Sequence, residues 1–369
     1  MEDGDKEAID LWREFRSISI EKYKKSYARL NIVFDEYAGE SQVRSESMIS
    51  AEKILKEKGI SEFDEGATII DFKKYGAKTL EVAVIRNRNG TSNYLLRDIG
   101  AAIQRWEEHH FDKSVYVIMD EQASHVKRLF KIMELLGSPY DDVARRMEFV
   151  PFGKVAGMSS RKGNVKFLDD ILDECRTVMH DTMRKNDEKY AQVANPEITA
   201  DQLGISACVV QDMSSKRQTG YKFVIERMTS FEGDTGPYLQ YAHARLCSIA
   251  RNSGYSNEEL YKADFSLLKE QHAVDLVRLM GQYPDQIGQA LGNLEPSTII
   301  TYLFKLTHQL SSGYDTLRVV NASEGPEVSK ARAALYLGAR QVIANGLRLI
   351  GLDPIERYGG CSKCLLSWC

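Results

Sequence analysis

The sequence lacks long apolar runs, a secretory leader and a strong excess of charge. None of its 369 residues falls in a run near the roughly 18 consecutive apolar residues of a membrane span, and the opening MEDGDKEAID is acidic. The formal net charge is −4, so contact with a nucleic acid would have to use local patches. We therefore expect a cytoplasmic protein that binds neither membranes nor DNA.

Cysteine is also scarce. The chain has six cysteines and no secretory signal, which predicts a reducing compartment and not a disulfide framework. Cys361, Cys364 and Cys369 lie in the tail GGCSKCLLSWC. A Cys-x-x-Cys pair with one distant thiol is an incomplete zinc-binding set, so we expect no bound metal.

Composition and periodicity predict two domains of different class. With 43% hydrophobic and 28% charged residues, the chain can bury roughly two cores. Residues 31–37 and 93–96 read as strands, and 114–119 (SVYVIM) is the continuous apolar run of a buried parallel strand. A helical pattern follows at 124–136, which predicts α/β architecture, and beyond about Leu172 strand patterns give way to helical ones.

Residues 157–170, GMSSRKGNVKFLDD, form a basic loop between a predicted strand and a predicted helix. Glycines at both ends permit unusual backbone conformations, and Arg161 and Lys162 can offset the charge of phosphate oxygens. An ordinary solvated connection before a helix N-terminus has the same composition, so the loop alone leaves both interpretations open.

Together with residues 230–249, SFEGDTGPYLQYAHARLCSI, the loop resembles two motifs of arginyl-tRNA synthetase, of the eukaryotic cytosolic type in class I. The resemblance runs from about Leu11 to Arg357. It implies a partial Rossmann-like class I catalytic domain (1–171), a helical connector (172–229) and an all-α anticodon-binding-like bundle (230–369).

The family's His-x-x-His motif, which grips ATP, is absent from this sequence, since none of the seven histidines forms one. The resemblance therefore implies a truncated relative that uses no cofactor.

An arginine pocket follows from the family's Tyr-x-x-Arg-Asp and Ser-x-Gln-x-x-His motifs. By that resemblance, Tyr94 packs on an arginine side chain, Asp98 accepts hydrogen bonds from the guanidinium and Gln122 contacts the substrate. A carboxylate suits the planar guanidinium fork better than a neutral group. The alternative is that Asp98 is only a helix cap and Tyr94 a core aromatic.

Next to Gln122, the sequence departs from the family pattern. Asp120 replaces the serine, and Glu121 stands where a neutral polar residue is common. A partly desolvated Asp120, Glu121 or His125 would be a candidate general base for an attacking amine. The alternative is drift, or acids that favour a helix N-terminus.

The resemblance also predicts a tRNA-binding surface. Tyr238, Tyr241 and Arg245 share a helix face and match the family's anticodon-binding motif, and Tyr314 resembles a further contact. A Tyr-rich core stripe is the alternative. In the catalytic domain, Arg161 and Lys162 would hold the tRNA acceptor end.

We therefore predict an ATP-independent, arginyl-tRNA-dependent cyclodipeptide synthase, similar to the fungal arginine-containing cyclodipeptide synthases. Its partners would be arginyl-tRNA and a second aminoacyl-tRNA, because aminoacyl esters are already activated and need only positioning. Two alternatives remain: a fragment of an arginyl-tRNA synthetase and a non-catalytic tRNA-binding paralogue. The sequence does not define the second amino acid or the oligomeric state.

Overall fold

The computed structural model describes residues 5–156, 166–185, 187–191, 193–320 and 322–357. It divides into two compact units. The α/β unit comprises Phe34–Lys154 and Gln218–Gly220, and the helical unit comprises the described residues of Met1–Val33, Val155–Arg217 and Tyr221–Cys369. The predicted domain boundaries, which give a catalytic domain over 1–171, a connector over 172–229 and an anticodon-binding-like domain over 230–369, stay predictions.

Two β-sheets and four α-helices make up the α/β unit as described. The antiparallel sheet has the order β1 (Glu62–Asp64), β2 (Ala67–Asp71) and β3 (Val82–Arg86), and a parallel pair joins β4 (Ser114–Met119) to β5 (Met147–Phe152). The helices are α2 (Ser45–Glu57), α3 (Tyr94–His109), α4 (Ala123–Leu136) and α5 (Tyr140–Arg145). The predicted strand, helix and parallel strand are thus confirmed as β4, α4 and β5.

Burial of β4 differs from the prediction. Tyr116 packs edge-to-face on Phe130 of α4, with ring centroids 5.2 Å apart. The alternating residues Val115 and Val117 lie on the opposite side, and Val117 is 63% exposed. The strand was predicted correctly, but its burial on both faces was not, because within the described unit a helix packs against one face.

Two predicted strands are not strands in the structure. Residues 31–37 have no strand partner, because α1 (Lys6–Arg29) is followed by Asn31 in the left-handed conformation, with φ +57°. Residues 93–96 begin α3, because the Asn93 side chain accepts a hydrogen bond of 2.6 Å from the Tyr94 amide. A local capping bond therefore prevails over the apolar pattern.

The helical unit contains most of the helices. After α1 come α6 (Leu168–Arg184), α7 (Asp187–Tyr190), α8 (Pro196–Met213), α9 (Ile225–Met228), α10 (Gly236–Ser253), α11 (Asn257–Tyr261), α12 (Gln271–Gly281), α13 (Tyr283–Asn293), α14 (Ser297–Gly313) and α15 (Pro326–Leu349). A two-residue parallel pair, β6 (Val155–Ala156) with β7 (Tyr221–Lys222), shows that strands do not end at Leu172. No helix in the described ranges is long and apolar enough to cross a membrane.

Charged contacts hold α1 to the rest of the helical unit, since none of its residues is buried. Arg29 pairs with Asp201 of α8 at 2.5 Å and with Asp173 of α6 at 2.9 Å. Ser26 donates a hydrogen bond of 3.0 Å to Asp169. The helix α1 is therefore held to the unit by ion pairs and hydrogen bonds, and none of its side chains is buried in the core.

The core of the helical unit contains a charged side chain, Arg332 of α15. Its side chain is 2% exposed and pairs with Glu270 and, at 2.6 Å, with Glu324. It also donates to the carbonyl of Arg318 at 3.0 Å. Burial acts to raise the pKa of Glu270, but the hydrogen bond from Arg332 holds it below its usual value. Arg332, with Ser323, lowers the pKa of Glu324 to about 2.

We expect Arg332→Ala to lower the free energy of unfolding by about 3–5 kcal/mol, because it removes a buried guanidinium and leaves the partly buried Glu270 carboxylate without its partner. Chemical denaturation of the full chain measures this. Arg278→Ala is the matched control, because Arg278 is exposed and pairs with Asp275 at 3.7 Å; it should change stability by less than about 0.5 kcal/mol. Equal effects of the two substitutions would contradict a structural role for the buried ion pair.

Candidate functional site

The first turns of α3 present two of the predicted pocket residues on one face. Tyr94 is the first residue of the helix and is 67% exposed. Asp98 follows four residues later, so the two side chains are neighbours along the helix. Asp98 therefore lies in the second turn of α3 and is not the helix cap, which is Asn93.

Asp98 makes its contact across to α4. Its Oδ2 lies 2.6 Å from Nε2 of His125, and the two side chains are 40% and 32% exposed respectively. His125 is the third residue of α4, which follows β4 after a three-residue turn. The structure thus brings together a predicted substrate-binding residue and a predicted catalytic residue.

Gln122 lies in the short turn that joins β4 to α4. The turn is a 3-10 helix over Asp120–Gln122, and Gln122 is exposed three residues before His125. The carboxyl ends of parallel strands are where ligands bind in open α/β sheets. Gln122 is therefore available to a ligand at the same end of the unit as the Asp98–His125 pair.

The two acidic residues beside Gln122 are exposed. Glu121 accepts a hydrogen bond of 3.1 Å from Lys154, and both of these side chains are mostly in solvent. Asp120 is exposed as well. Neither carboxylate has the desolvation that would make it a stronger base, so the structure gives no support for that part of the general-base hypothesis.

Tyr116 and Arg105 are residues near the pocket that sequence reasoning did not identify. Arg105 donates to the Tyr116 hydroxyl at 3.3 Å, and its guanidinium lies 5.9 Å from the ring centroid. Burial raises the pKa of Tyr116, and the charge of Asp98 acts in the same direction. The available signal was the alternation of β4, which turns Tyr116 toward the helices.

In the helical unit, the predicted tRNA-binding residues form an aromatic cluster. The Arg245 guanidinium of α10 lies 3.4 Å from the centroid of the Tyr314 ring, a close cation–π contact. The Tyr238 hydroxyl is 3.0 Å from that of Ser311, and its ring is 5.9 Å from the His308 ring. Tyr241, one turn after Tyr238, is partly buried on the same helix.

Three buried polar atoms of this cluster have no hydrogen-bond partner among the described residues: Nε of Arg245 and the hydroxyls of Tyr314 and Tyr336. Burial raises the pKa of Tyr314, and its ring is 5.8 Å from that of Tyr336. Tyr336 was not identified from the sequence. A buried polar atom without a hydrogen-bond partner costs free energy. Such atoms are often found where a ligand supplies the missing hydrogen bond.

Other predicted residues lie outside the described ranges. These are Arg161 and Lys162 of the basic loop and Cys361, Cys364 and Cys369 of the tail. Within the described ranges, no group of three or more His, Cys, Asp and Glu side chains is arranged to hold a metal ion.

Comparison with known protein families identifies two domains along the chain. Residues 1–225 match the model for tRNA synthetases class I (R), catalytic domain, and residues 239–357 match the DALR anticodon binding domain. The chain belongs to the class I arginyl-tRNA synthetase family. The predicted fold class, a class I synthetase catalytic domain followed by a helical anticodon-binding domain, is therefore confirmed.

Close relatives are arginine–tRNA ligases. The chain is 53% identical over 358 residues to the cytoplasmic arginine–tRNA ligase of Saccharomyces cerevisiae, covering 97% of this chain and 58% of the relative. It is 45% identical over 358 residues to the mitochondrial ligase of that yeast, covering 97% of this chain and 55% of that ligase. The chain thus spans less than two thirds of the length of these synthetases.

A solved structure shares the fold over nearly the whole chain. The arginyl-tRNA synthetase of Plasmodium falciparum superposes with a TM-score of 0.82 at 22% identity, covering 96% of this chain and 60% of that one. The Thermus thermophilus enzyme gives 0.75 at 20% identity, with coverages of 90% and 62%.

These comparisons overturn the predicted function. The 53% sequence identity to the yeast cytoplasmic arginine–tRNA ligase, across 97% of this chain, contradicts the prediction of a cyclodipeptide synthase. None of these matches supports a likeness to the cyclodipeptide synthases or a second aminoacyl-tRNA as a partner. That prediction came from the absence of the family's His-x-x-His motif, which was interpreted as a loss of ATP-dependent activation, whereas the chain spans only 58% of the matched ligase.

We expect Tyr314→Phe to leave the free energy of unfolding unchanged or slightly raised, because the lost hydroxyl is buried without a partner. Tyr302→Phe is the matched control. Its hydroxyl donates to the Leu279 carbonyl at 2.8 Å, so its loss should cost about 1 kcal/mol in the same denaturation measurement. A larger cost at Tyr314 than at Tyr302 would contradict an unsatisfied hydroxyl.

Proposed function

We propose that this chain carries the arginine-binding site and the anticodon-binding surface of an arginine–tRNA ligase. Together they would select the two substrates that such a ligase joins. The observation that carries the proposal is Asp98, a half-buried carboxylate presented beside the exposed ring of Tyr94 in a chain of this family.

The chemistry of the α/β unit suits an arginine side chain. A guanidinium is planar, always charged and donates in a fork that a carboxylate can accept. Asp98 would supply the carboxylate, Tyr94 would cover the guanidinium plane and the Gln122 amide would contact the polar end of the amino acid. Cation–π contact with a tyrosine ring adds a preference for charge over a neutral isostere.

The helical unit suits unstacked nucleobases. Aromatic rings and an arginine plane stack on bases, and unsatisfied polar atoms beside them can read base edges. Tyr238, Tyr241, Arg245 and Tyr314 supply these groups, which makes anticodon binding the proposed role of this cluster. Phosphate binding by Arg161 and Lys162 stays a prediction, as does a cytoplasmic location, because the related ligases include cytoplasmic and mitochondrial forms.

The complete ligation reaction is proposed at the level of the family. The chain spans 58% of the yeast relative's length, so binding of each substrate is the property that the described residues support directly. Direct binding measurements therefore test the proposal without assuming turnover by this chain.

We expect Asp98→Asn to raise the dissociation constant for L-arginine by about 10–100-fold, the worth of about 1.5–3 kcal/mol for hydrogen bonds to a charged group. Isothermal titration of the full chain measures it. Glu121→Gln, an exposed carboxylate paired with Lys154, is the control and should change the constant less than about twofold. Unchanged arginine binding in Asp98→Asn would remove the basis for the arginine site.

Arg245→Lys should weaken binding of arginine-specific tRNA by about 5–150-fold, because lysine keeps the charge and loses the plane that stacks, worth about 1–3 kcal/mol per base. Filter binding at fixed salt measures this. The control is Arg278→Lys, an exposed residue of the same unit, which should leave affinity unchanged. Equal affinity of Arg245→Lys and the original chain would contradict the anticodon surface.

A further inference from the structure

We propose that His125 is a positioning residue for arginine recognition: it fixes the Asp98 carboxylate so that the remaining acceptor positions face the guanidinium. The proposal rests on the arginine site proposed above. It goes beyond it by assigning to His125 a role in selecting a charged side chain over a neutral one of the same shape.

The geometry of the pair is specific. Nε2 of His125 lies 2.6 Å from Oδ2 of Asp98, within the range of a charge-assisted hydrogen bond. A carboxylate offers about four acceptor positions on two oxygens, and this contact occupies one of them. The orientation of the Asp98 carboxylate is then set by α4, while Oδ1 and the second position on Oδ2 are left for a ligand.

The neighbouring arginines make hydrogen bonds to groups other than the Asp98 carboxylate. Arg97, which precedes Asp98, bonds to Ser92 at 3.0 Å and to Glu40 at 3.5 Å. Arg105 bonds to the Tyr116 hydroxyl at 3.3 Å. The bond that the structure gives to the Asp98 carboxylate is therefore the one from His125.

A purely structural role explains the pair poorly. Both side chains are about one third exposed, and ion pairs in such positions contribute only about 0–1 kcal/mol to stability. Both lie in the first two turns of helices whose buried faces already pack in the core of the unit. The contact is thus dispensable for folding but decisive for where the carboxylate points.

Nε2 of His125 is engaged by Asp98, so Nδ1 is the ring nitrogen that could accept a proton from an attacking amine. The general-base role of His125 stays a prediction, and the positioning role concerns the Nε2 contact alone.

Two substitutions at His125 test whether a nitrogen donor at the position of Nε2 is what Asp98 requires. In His125→Gln the amide nitrogen can take the place of Nε2, whereas in His125→Asn the shorter side chain places its nitrogen near Nδ1 and cannot reach Asp98. His109→Asn is the matched control, because His109 is an exposed histidine of the same unit, 3.5 Å from Glu36.

The measurement is isothermal titration of the full chain with L-arginine and with L-citrulline, its neutral isostere. We expect His125→Asn to weaken arginine binding about tenfold and to reduce the preference for arginine over citrulline by the same factor. His125→Gln and His109→Asn should stay within about twofold of the original chain. The ring N–H proton of His125 should give a downfield nuclear magnetic resonance signal that disappears in Asp98→Asn.

Distinct results overturn the two proposals. If Asp98→Asn abolishes arginine binding while His125→Asn preserves affinity and selectivity, the positioning role is wrong and the arginine site stands. If His125→Asn weakens arginine and citrulline equally, or His125→Gln is as impaired as His125→Asn, the role is structural and the inference is also wrong. If Asp98→Asn leaves arginine binding intact, the arginine site itself fails.

Discussion

The proposed arginine site depends on the parallel pairing of β4 with β5. That pairing, continuous from Ser114 to Met119, fixes where the chain leaves the sheet and therefore where α4 begins. His125 lies in the first turn of α4 because of it, at hydrogen-bonding distance from Asp98 of α3. A carboxylate, an imidazole, an amide and an exposed tyrosine are thereby presented at the end of the strands, where α/β sheets bind ligands.

The helical unit shows a different feature. The aromatic residues around Arg245 and Tyr314 are packed together, but some of their buried polar atoms have no hydrogen-bond partner among the described residues. In the core of this unit, Arg332 has two carboxylate partners, and the Tyr302 hydroxyl donates to a carbonyl. The cluster of Arg245 and Tyr314 has a close stack but leaves polar atoms unpaired. Completion of these hydrogen bonds by a bound nucleotide would agree with the proposed anticodon-binding role of the cluster.

Regular elements with strong periodic signals could be predicted from the sequence. The apolar run at Ser114–Met119 and the helical pattern after it gave the correct architecture, because tertiary packing agrees with local preference there. Residues 93–96 were misassigned because an asparagine cap outweighed three apolar or aromatic neighbours. The exposure of Val117 could not be read from the run, since a periodic pattern does not reveal how many faces of a strand are covered.

The candidate site was predictable as a set of residues but not as a network. The motifs placed Tyr94, Asp98, Gln122 and His125 in one region, yet the bond between Asp98 and His125 joins residues 27 positions apart on two helices. Glu121 was given a chemical role because it is unusual beside a motif, and in the structure its carboxylate pairs with an exposed lysine. Departures from a motif carry function only when burial or contacts support them.

A crystal structure of the full chain with bound L-arginine tests the central claim most directly. The account predicts the guanidinium within hydrogen-bonding distance of the Asp98 carboxylate, with the Tyr94 ring over its plane and the His125 contact retained. Arginine bound elsewhere, or at Asp98 only after the His125 contact is broken, would contradict it.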